Sequence, residues 1–455
     1  LHKFAKYETA HFVVKYDAEH DPGLGEYVAS YLEPIYEAVT SDFETPLTEK
    51  TIIEIFPTHR AFGVRITGKP WIHTVGASTG RIIALASPRE STELMGRYNL
   101  ARVLKHEFTH TVTLAATDNR IPHWFTEGLA VYEEDAPRPF DWSELLADAV
   151  RRDRLFTLES VDWGFIRPRR PTDRQMAYAQ SEWMVEYIVE RFGYDMIQTM
   201  VNRFRTGKTQ SEVFTDHFGV EPAKFDRAFH DWARAEVAKW NCHFALTPLE
   251  DIQELRAQAA KEDAGASVWG RLARAEFDES DYERSMAAAR RALALDEHEP
   301  NGLDVLSGVL TLLSQKEKSE AGKREYEDEA LPLLERFMRV DPNSWAALKH
   351  FAEIALRRKE WDRAASALQR LQRLCPMDPT SWGGLAGIYL ERGEEELALP
   401  QLIELARIEQ NDPTIPQKVA SIVRRRGELR EAQYWYRQAL SIDPSCADLH
   451  QALGD

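Results

Sequence analysis

Residues 105–112 read KHEFTHTV: two histidines four positions apart, with a glutamate directly after the first. On an α-helix four residues advance the chain by about 6 Å and about 400°, so His106 and His110 project side by side from one face. Two imidazoles so placed can hold one tetrahedral Zn²⁺ without bending the backbone. Glu107 sits one position round the helix, near the metal yet not aimed at it, where a carboxylate can take a proton from metal-bound water. Val103, Leu104, Phe108 and Val112 give the same helix enough apolar surface to be buried. The plain alternative is a core helix with two satisfied histidines, and the five letters alone leave it open.

What lifts the metal reading is a third ligand, because a catalytic zinc wants three protein ligands and one open position. Downstream stands Ile121–Glu134, IPHWFTEGLAVYEE. Pro122 is placed to begin a helix, and Pro137 with Pro139 ends it. Glu127 lies in the first turns, followed by Gly128 and Ala130, whose small size is expected to permit close approach to the metal helix. A short connector between two antiparallel helices would bring Glu127 to the two histidines.

Upstream the texture is mixed. His11–Tyr16 (HFVVKY), Thr51–Phe56 (TIIEIF) and Arg81–Ala86 (RIIALA) are short, β-branched and bounded by turn residues, and read as strands. Between the first two, Tyr27, Tyr31, Ile35 and Val39 recur every four positions and predict a helix. From about residue 92 helix signals dominate, broken by RPRRP at 167–171, which reads as a solvated loop.

HEFTH followed after sixteen residues by Glu127 in WFTEGLAVYEE resembles the gluzincin branch of the zinc metallopeptidases, the peptidase MA-like group. HFVVKYD, IIEIFPTHRAF, VGASTGRIIALASP and AYAQSEWMVEYIVERFG resemble the same group in order and spacing, so the likeness covers about residues 5–240. It implies an α+β zincin-like fold: a small twisted sheet in an N-terminal lobe, two zinc-binding helices and a helical C-terminal lobe. It also implies His106, His110 and Glu127 as the ligands of one zinc ion and Glu107 as general base. Tyr178, in AYAQS, stands where such enzymes often carry a tyrosine that donates to the developing oxyanion. Residues Val75–Ser78 could form a sheet edge on which a substrate peptide lies extended.

Two departures bear on these expectations. The aminopeptidases of the group carry an acidic residue in the edge segment, and VGASTG has none, which weakens an aminopeptidase reading. Thermolysin-like enzymes place an aspartate four residues after the glutamate ligand. Here that position is Val131, so the group orienting His106 or His110 is open, with Glu133, Glu134 and Asp135 as candidates. His123 could touch substrate but reads rather as a packing residue, and His59 and His73 read as ordinary histidines.

After residue 250 the pattern is helical throughout, and small and apolar residues recur with a period near 34. Trp382, Leu385, Ala386 and Tyr389 match the first helix of a tetratricopeptide repeat, with Ala398 on the partner helix. Trp269/Leu272/Ala273, Trp345/Leu348, Ala292–Leu293 and Ala439–Leu440 fall in the same register. The closing pairs are Asp341–Pro342, Asp378–Pro379, Asp412–Pro413 and Asp443–Pro444. A polar run near Gln315–Glu325 is expected to be a longer inter-helix loop. About five such units predict an all-α tetratricopeptide repeat superhelix that binds a peptide or protein. The expected domains are 1–248 for the peptidase, with its lobes meeting near 92/93, and 249–455 for the repeats. Deleting residues 250–455 is then expected to spare cleavage of short peptides but to weaken attack on a folded or large substrate.

Bulk properties bound the rest. The chain has 455 residues, 43% hydrophobic and 29% charged, with a formal charge of −17. That charge argues against nucleic acid as a partner, since phosphate contacts want clustered Lys and Arg. No apolar run approaches the roughly 18 residues of a membrane span. Cys242, Cys375 and Cys446 are few and far apart, which predicts no disulfide framework. The chain starts without a methionine and breaks off inside a helical pattern, as a fragment would, and its compartment, bacterial periplasmic, secreted or cytoplasmic, is left open. The expected reaction is zinc-dependent hydrolysis of a peptide bond by Glu107-assisted attack of zinc-bound water. The alternative is a catalytically silent zincin shell whose repeats mediate protein–protein interaction.

Overall fold

A computed structural model describes residues 4–88, 98–219, 221–240 and 250–454. The chain divides into two compact units. The first comprises Leu1–Leu146, Leu155–Ala235 and Ala406–Asp455; the second comprises Ala147–Arg154 and Glu236–Leu405.

The first unit begins with a five-stranded sheet: β1 (Ala5–Glu8), β2 (Phe12–Tyr16), β3 (Thr51–Phe56), β4 (Gly76–Ser78) and β5 (Ile82–Ala86). Its order is β1-β2-β3-β5-β4. The three strands expected from β-branched runs form the centre, paired in parallel with Phe12 opposite Thr51 and Ile52 opposite Ile82. Antiparallel β1 and β4 close the two edges. Alternate residues Phe12, Val14, Ile53 and Ile83 have no exposed surface, which is the period of two that a packed strand face requires. Helix α1 (Leu24–Asp42) covers the expected Tyr27–Val39 segment and carries Pro34 within it. Helix α2 (His59–Thr67) follows, opened by Thr58, whose side chain accepts from the Ala61 N–H.

The helical lobe contains α3 (Leu100–Thr117), α4 (His123–Glu133), α5 (Phe140–Arg151), α6 (Val161–Ile166), α7 (Asp173–Phe192), α8 (Asp195–Arg205), α9 (Gln210–Val213) and α10 (Pro222–Lys239). The loop expected at 167–171 separates α6 from α7. Gly128 behaves differently from expectation. A Cβ there would lie 2.5 Å from the Ser181 carbonyl oxygen of α7, so its missing side chain admits α7 and not the metal helix. Adjacent helix positions point about 100° apart and meet different neighbours, and spacing alone does not say which neighbour is present.

The second unit contains α11 (Ile252–Ala259), α12 (Ala266–Asp278), α13 (Tyr282–Leu295), α14 (Pro300–Lys316), α15 (Glu320–Val340), α16 (Trp345–Arg357), α17 (Trp361–Leu374), α18 (Pro379–Glu391) and α19 (Glu395–Ile408). The small residues of the 34-residue period, Ala273, Ala292 and Ala398, are all fully buried, where close helix crossings need them. Asp378 opens α18, accepting from the Thr380 N–H at 2.9 Å, and its other oxygen accepts from the Trp345 indole at 2.9 Å. Buried Glu327 is held by Arg357 and Arg358 at 2.8 and 2.9 Å. The run at Gln315–Glu325 is not a long loop. Only residues 317–319 connect the two helices, and Ser319 caps α15, because Glu, Ala, Lys and Arg favour helix although they are polar. Cys375 is disulfide-bonded and Cys446 is a free thiol.

The last described helices, α20 (Thr414–Arg425), α21 (Leu429–Ile442) and α22 (Ala447–Gly454), keep the repeat register yet belong to the first unit. Helix α21 packs on α3, and His450 sets its ring edge-on to Tyr27 of α1 at 4.5 Å. A cut at residue 250 therefore removes packing from the first unit itself. Among the described residues no helix is long and apolar enough to cross a membrane.

Candidate active site

Helix α3 starts at Asn99, whose side-chain oxygen accepts from the Arg102 N–H at 3.1 Å. Two turns on, His106 and His110 point the same way, as their spacing requires, with Nε2 atoms 3.2 Å apart. From α4 the Glu127 carboxylate reaches both rings. Its Oε2 lies 3.5 Å from His106 Nε2 and 3.3 Å from His110 Nε2. The three prospective ligand atoms all lie within 4.8 Å of one another.

Two observations say that these residues fit a metal ion. Glu127 Oε2 is buried and makes no hydrogen bond, an arrangement that is costly unless a cation completes it. The Nδ1 of His106 faces Glu134 Oε1 at 2.8 Å, and the Nδ1 of His110 faces Thr126 Oγ1 at 2.9 Å. Both rings are thus held from behind, with Nε2 turned toward Glu127. Burial alone would raise the Glu127 carboxyl, but His110 and His106 outweigh it and hold it well below the usual carboxylate range.

The partner of His106 is the group that the sequence left open among three candidates. Glu134 stands seven residues after Glu127, two helical turns along the same face, and its Oε2 is paired with Arg102 at 2.7 Å. Arg102 in turn lies four residues before His106, on the same side of α3. Val131, at the position of the thermolysin-like aspartate, lines the cavity instead. Glu133 is engaged elsewhere, accepting from the Tyr194 hydroxyl at 2.8 Å. Thr126, the residue behind His110, carries no spacing signal that could have singled it out. Glu134→Ala is expected to weaken zinc binding about 10–100-fold, the usual cost of losing a group behind a metal-ligating histidine. Competition with a chromophoric chelator measures this.

Glu107 is 5% exposed and lines a cavity of about 220 Å³ together with His106, Val103, Val131, Trp142 and Tyr178. Burial pushes its carboxyl above the ordinary value, against the pull of His106 and His110. The edge strand β4 passes directly over it. A Cβ on Gly76 would come within 2.6 Å of Glu107 Oε1 and 2.9 Å of Leu85 Cδ2, so any larger residue would have to displace those side-chain ends. Thr111, one turn after Glu107, ties the same strand to α3 by bonds to Ser78 Oγ at 3.1 Å and to the Gly80 carbonyl at 2.7 Å. His59 supports the approach to the strand through the Thr74 carbonyl at 2.9 Å.

Tyr178 is on the cavity wall, its ring edge-on to Phe165 at 4.9 Å. Burial, with Glu127 and Glu107 adding to it, pushes the phenol above its ordinary value, so the group stays a proton donor. His123, expected to pack or else to touch substrate, packs against Phe165 at 4.8 Å, and its Nε2 also faces Glu127 Oε1 at 3.6 Å. A helical spacing of four between His123 and Glu127 carried that signal.

Among curated proteins none matches the chain. Among solved structures it is similar to YrrB, described as a TPR protein with an unusual peptide-binding site, at 15% identity over 45% of this chain and 100% of that one, with a TM-score of 0.37. It is also similar to MamA, at 17% identity over 40% and 94%, TM-score 0.32. A third is TTC0263, described as a thermophilic TPR protein in Thermus thermophilus, at 19% identity over 38% and 88%, TM-score 0.28. Residues 94–235, which carry His106, Glu107, His110, Glu127 and Tyr178, match the family described as the Peptidase MA superfamily, as expected of a zincin-like α+β domain.

Proposed function

We propose that the first unit is a zinc-dependent peptidase, with His106, His110 and Glu127 as ligands of one zinc ion and Glu107 as general base. The observation that carries this reading is the convergence of three ligand atoms within 4.8 Å, beside a cavity that Glu107 also lines. A zinc ion there would supply a Lewis acid for the scissile carbonyl and ease the deprotonation of water.

The chain's own groups do the rest. Glu134 and Thr126 fix the two imidazoles in orientation. Glu107 takes the proton from the attacking water on one of its carboxylate oxygens and returns it to the leaving amine as the C–N bond breaks. Tyr178, a protonated phenol, donates to the carbonyl oxygen as negative charge builds on it. The outer edge of β4 pairs with an extended substrate, whose backbone is thereby laid over Glu107. The hairpins of the second unit are assigned the binding of substrate or of a partner protein.

Removing the metal tests the reading. Dialysis of the intact chain against a chelator is expected to abolish cleavage of a mixed peptide library, and one equivalent of Zn²⁺ to restore it. A protein that binds zinc at this site and cuts no peptide in the library would instead be the silent scaffold.

A further inference from the structure

Helix α6 turns a bare face outward. Trp163 and Ile166, three residues apart and so on one side, are 56% and 62% exposed, while Val161 and Phe165 on the other side are buried. Every residue from Ile166 to Thr172 is exposed, including Arg167, Arg169 and Arg170. None of those three guanidinium groups forms an ion pair among the described residues. Three unpaired cations side by side are unusual in a chain with a formal charge of −17.

The shape of this prong is fixed before anything binds it. Asp173 Oδ2 accepts from the backbone N–H groups of Arg169 and Arg170 at 2.8 and 3.0 Å. Pro168 and Pro171 lock φ at two further positions. A Cβ on Gly164 would lie 2.7 Å from Ala177 Cβ and 3.0 Å from the Asp173 carbonyl oxygen, so α6 is pressed onto α7. Arg174 adds a bond to the Phe165 carbonyl at 3.2 Å. Little ordering entropy is left to lose on docking.

We propose that Trp163, Ile166, Arg167, Arg169 and Arg170 form a docking prong for an anionic phospholipid surface. An indole belongs at the headgroup level, the isoleucine just below it, and the guanidinium groups against lipid phosphates. An acidic peptide would engage the arginines but leave the bare indole and the isoleucine side chain uncovered, which is why a bilayer is the better fit. Phe165, between the two exposed apolar residues and the cavity, touches Tyr178 and His123, so the prong is attached to the wall of the candidate active site.

Vesicle sedimentation tests this without any reference to peptidase activity. The intact chain is spun with sucrose-loaded vesicles of phosphatidylcholine, with or without a quarter of phosphatidylglycerol, at low salt. Binding to the anionic vesicles and not to the neutral ones is expected. The triple variant Arg167→Ser/Arg169→Ser/Arg170→Ser should lower the partition coefficient about 100-fold, at roughly fivefold per cation near the surface. Trp163→Ser/Ile166→Ser should lower it about tenfold or more while keeping its salt dependence. All five residues are exposed, so unchanged circular dichroism of the variants is the folding control. Absence of binding, equal binding to both vesicle types, or variants that bind like wild type would each overturn the proposal. So would capture on immobilised poly-glutamate with no vesicle binding, which would give the prong to an acidic peptide.

Discussion

Glu107→Gln is expected to keep one zinc ion per chain and to lose turnover by on the order of 10³-fold, within the range that a positioned general base supplies. The substitution is close to isosteric, so the side chain keeps its fit beneath β4. Glutamine retains the shape beneath β4 but cannot accept a proton from water at neutral pH. The proposed ligands His106, His110 and Glu127 are untouched, so metal content separates this variant from His110→Ala, which removes one of them and should leave the protein without zinc. Paired measurements settle the assignment: zinc by atomic absorption, and hydrolysis of a peptide that the wild type cuts. Full activity in the glutamine variant would remove Glu107 from its role. Loss of activity together with loss of zinc would mean that the variant reports on the metal and not on the base.

Much of this site is legible in sequence because its geometry is local. The four-residue interval puts two rings on one face, and a proline-started helix a few residues on carries the third ligand. The central strands are legible for a similar reason: β-branched residues bounded by turns have few other solutions. The edge strands are not. The Ala5–Glu8 strand is polar and mostly exposed, and Gly76–Ser78 consists of small residues with no alternation to detect. Yet Gly76 among them is what lets the edge come so near Glu107. Tertiary neighbours are the other blind spot. Gly128 signalled a close helix contact, but the helix it admits is α7, fixed by a crossing that no interval encodes. Glu134 was one of three adjacent acidic residues, and only the approach of Arg102 and His106 separates it from Glu133. The return of the last repeat helices to the first unit carries no mark at all, because their register continues the array unchanged.

That return leads to the second large effect. A chain ending at Leu405 is expected to lose stability and zinc affinity together, although it keeps every ligand. The contacts concerned converge on the start of the metal helix. The Asn99 side-chain oxygen caps α3, its Nδ2 donates to the Gln410 carbonyl at 3.2 Å, and its backbone N–H donates to Asn411 Oδ1 at 3.2 Å. His450 adds its edge contact on Tyr27. Arg102, which pairs with Glu134 and through it orients His106, lies in the first turn that this cap holds. Two hydrogen bonds and a ring contact at about 1 kcal/mol each give a loss of about 3 kcal/mol. For a unit of this size that is roughly 6–12 °C in Tm. Calorimetry of the truncated and full chains reads the first effect, and chelator competition the second. The cap can be tested by itself through Asn99→Ala, Asn411→Ala and the double variant. Because the two residues meet at one cap, their costs should depart from additivity by an amount comparable to one hydrogen bond. A truncated protein with an unchanged Tm and unchanged zinc affinity would show that the C-terminal helices rest on the metal helix without supporting it.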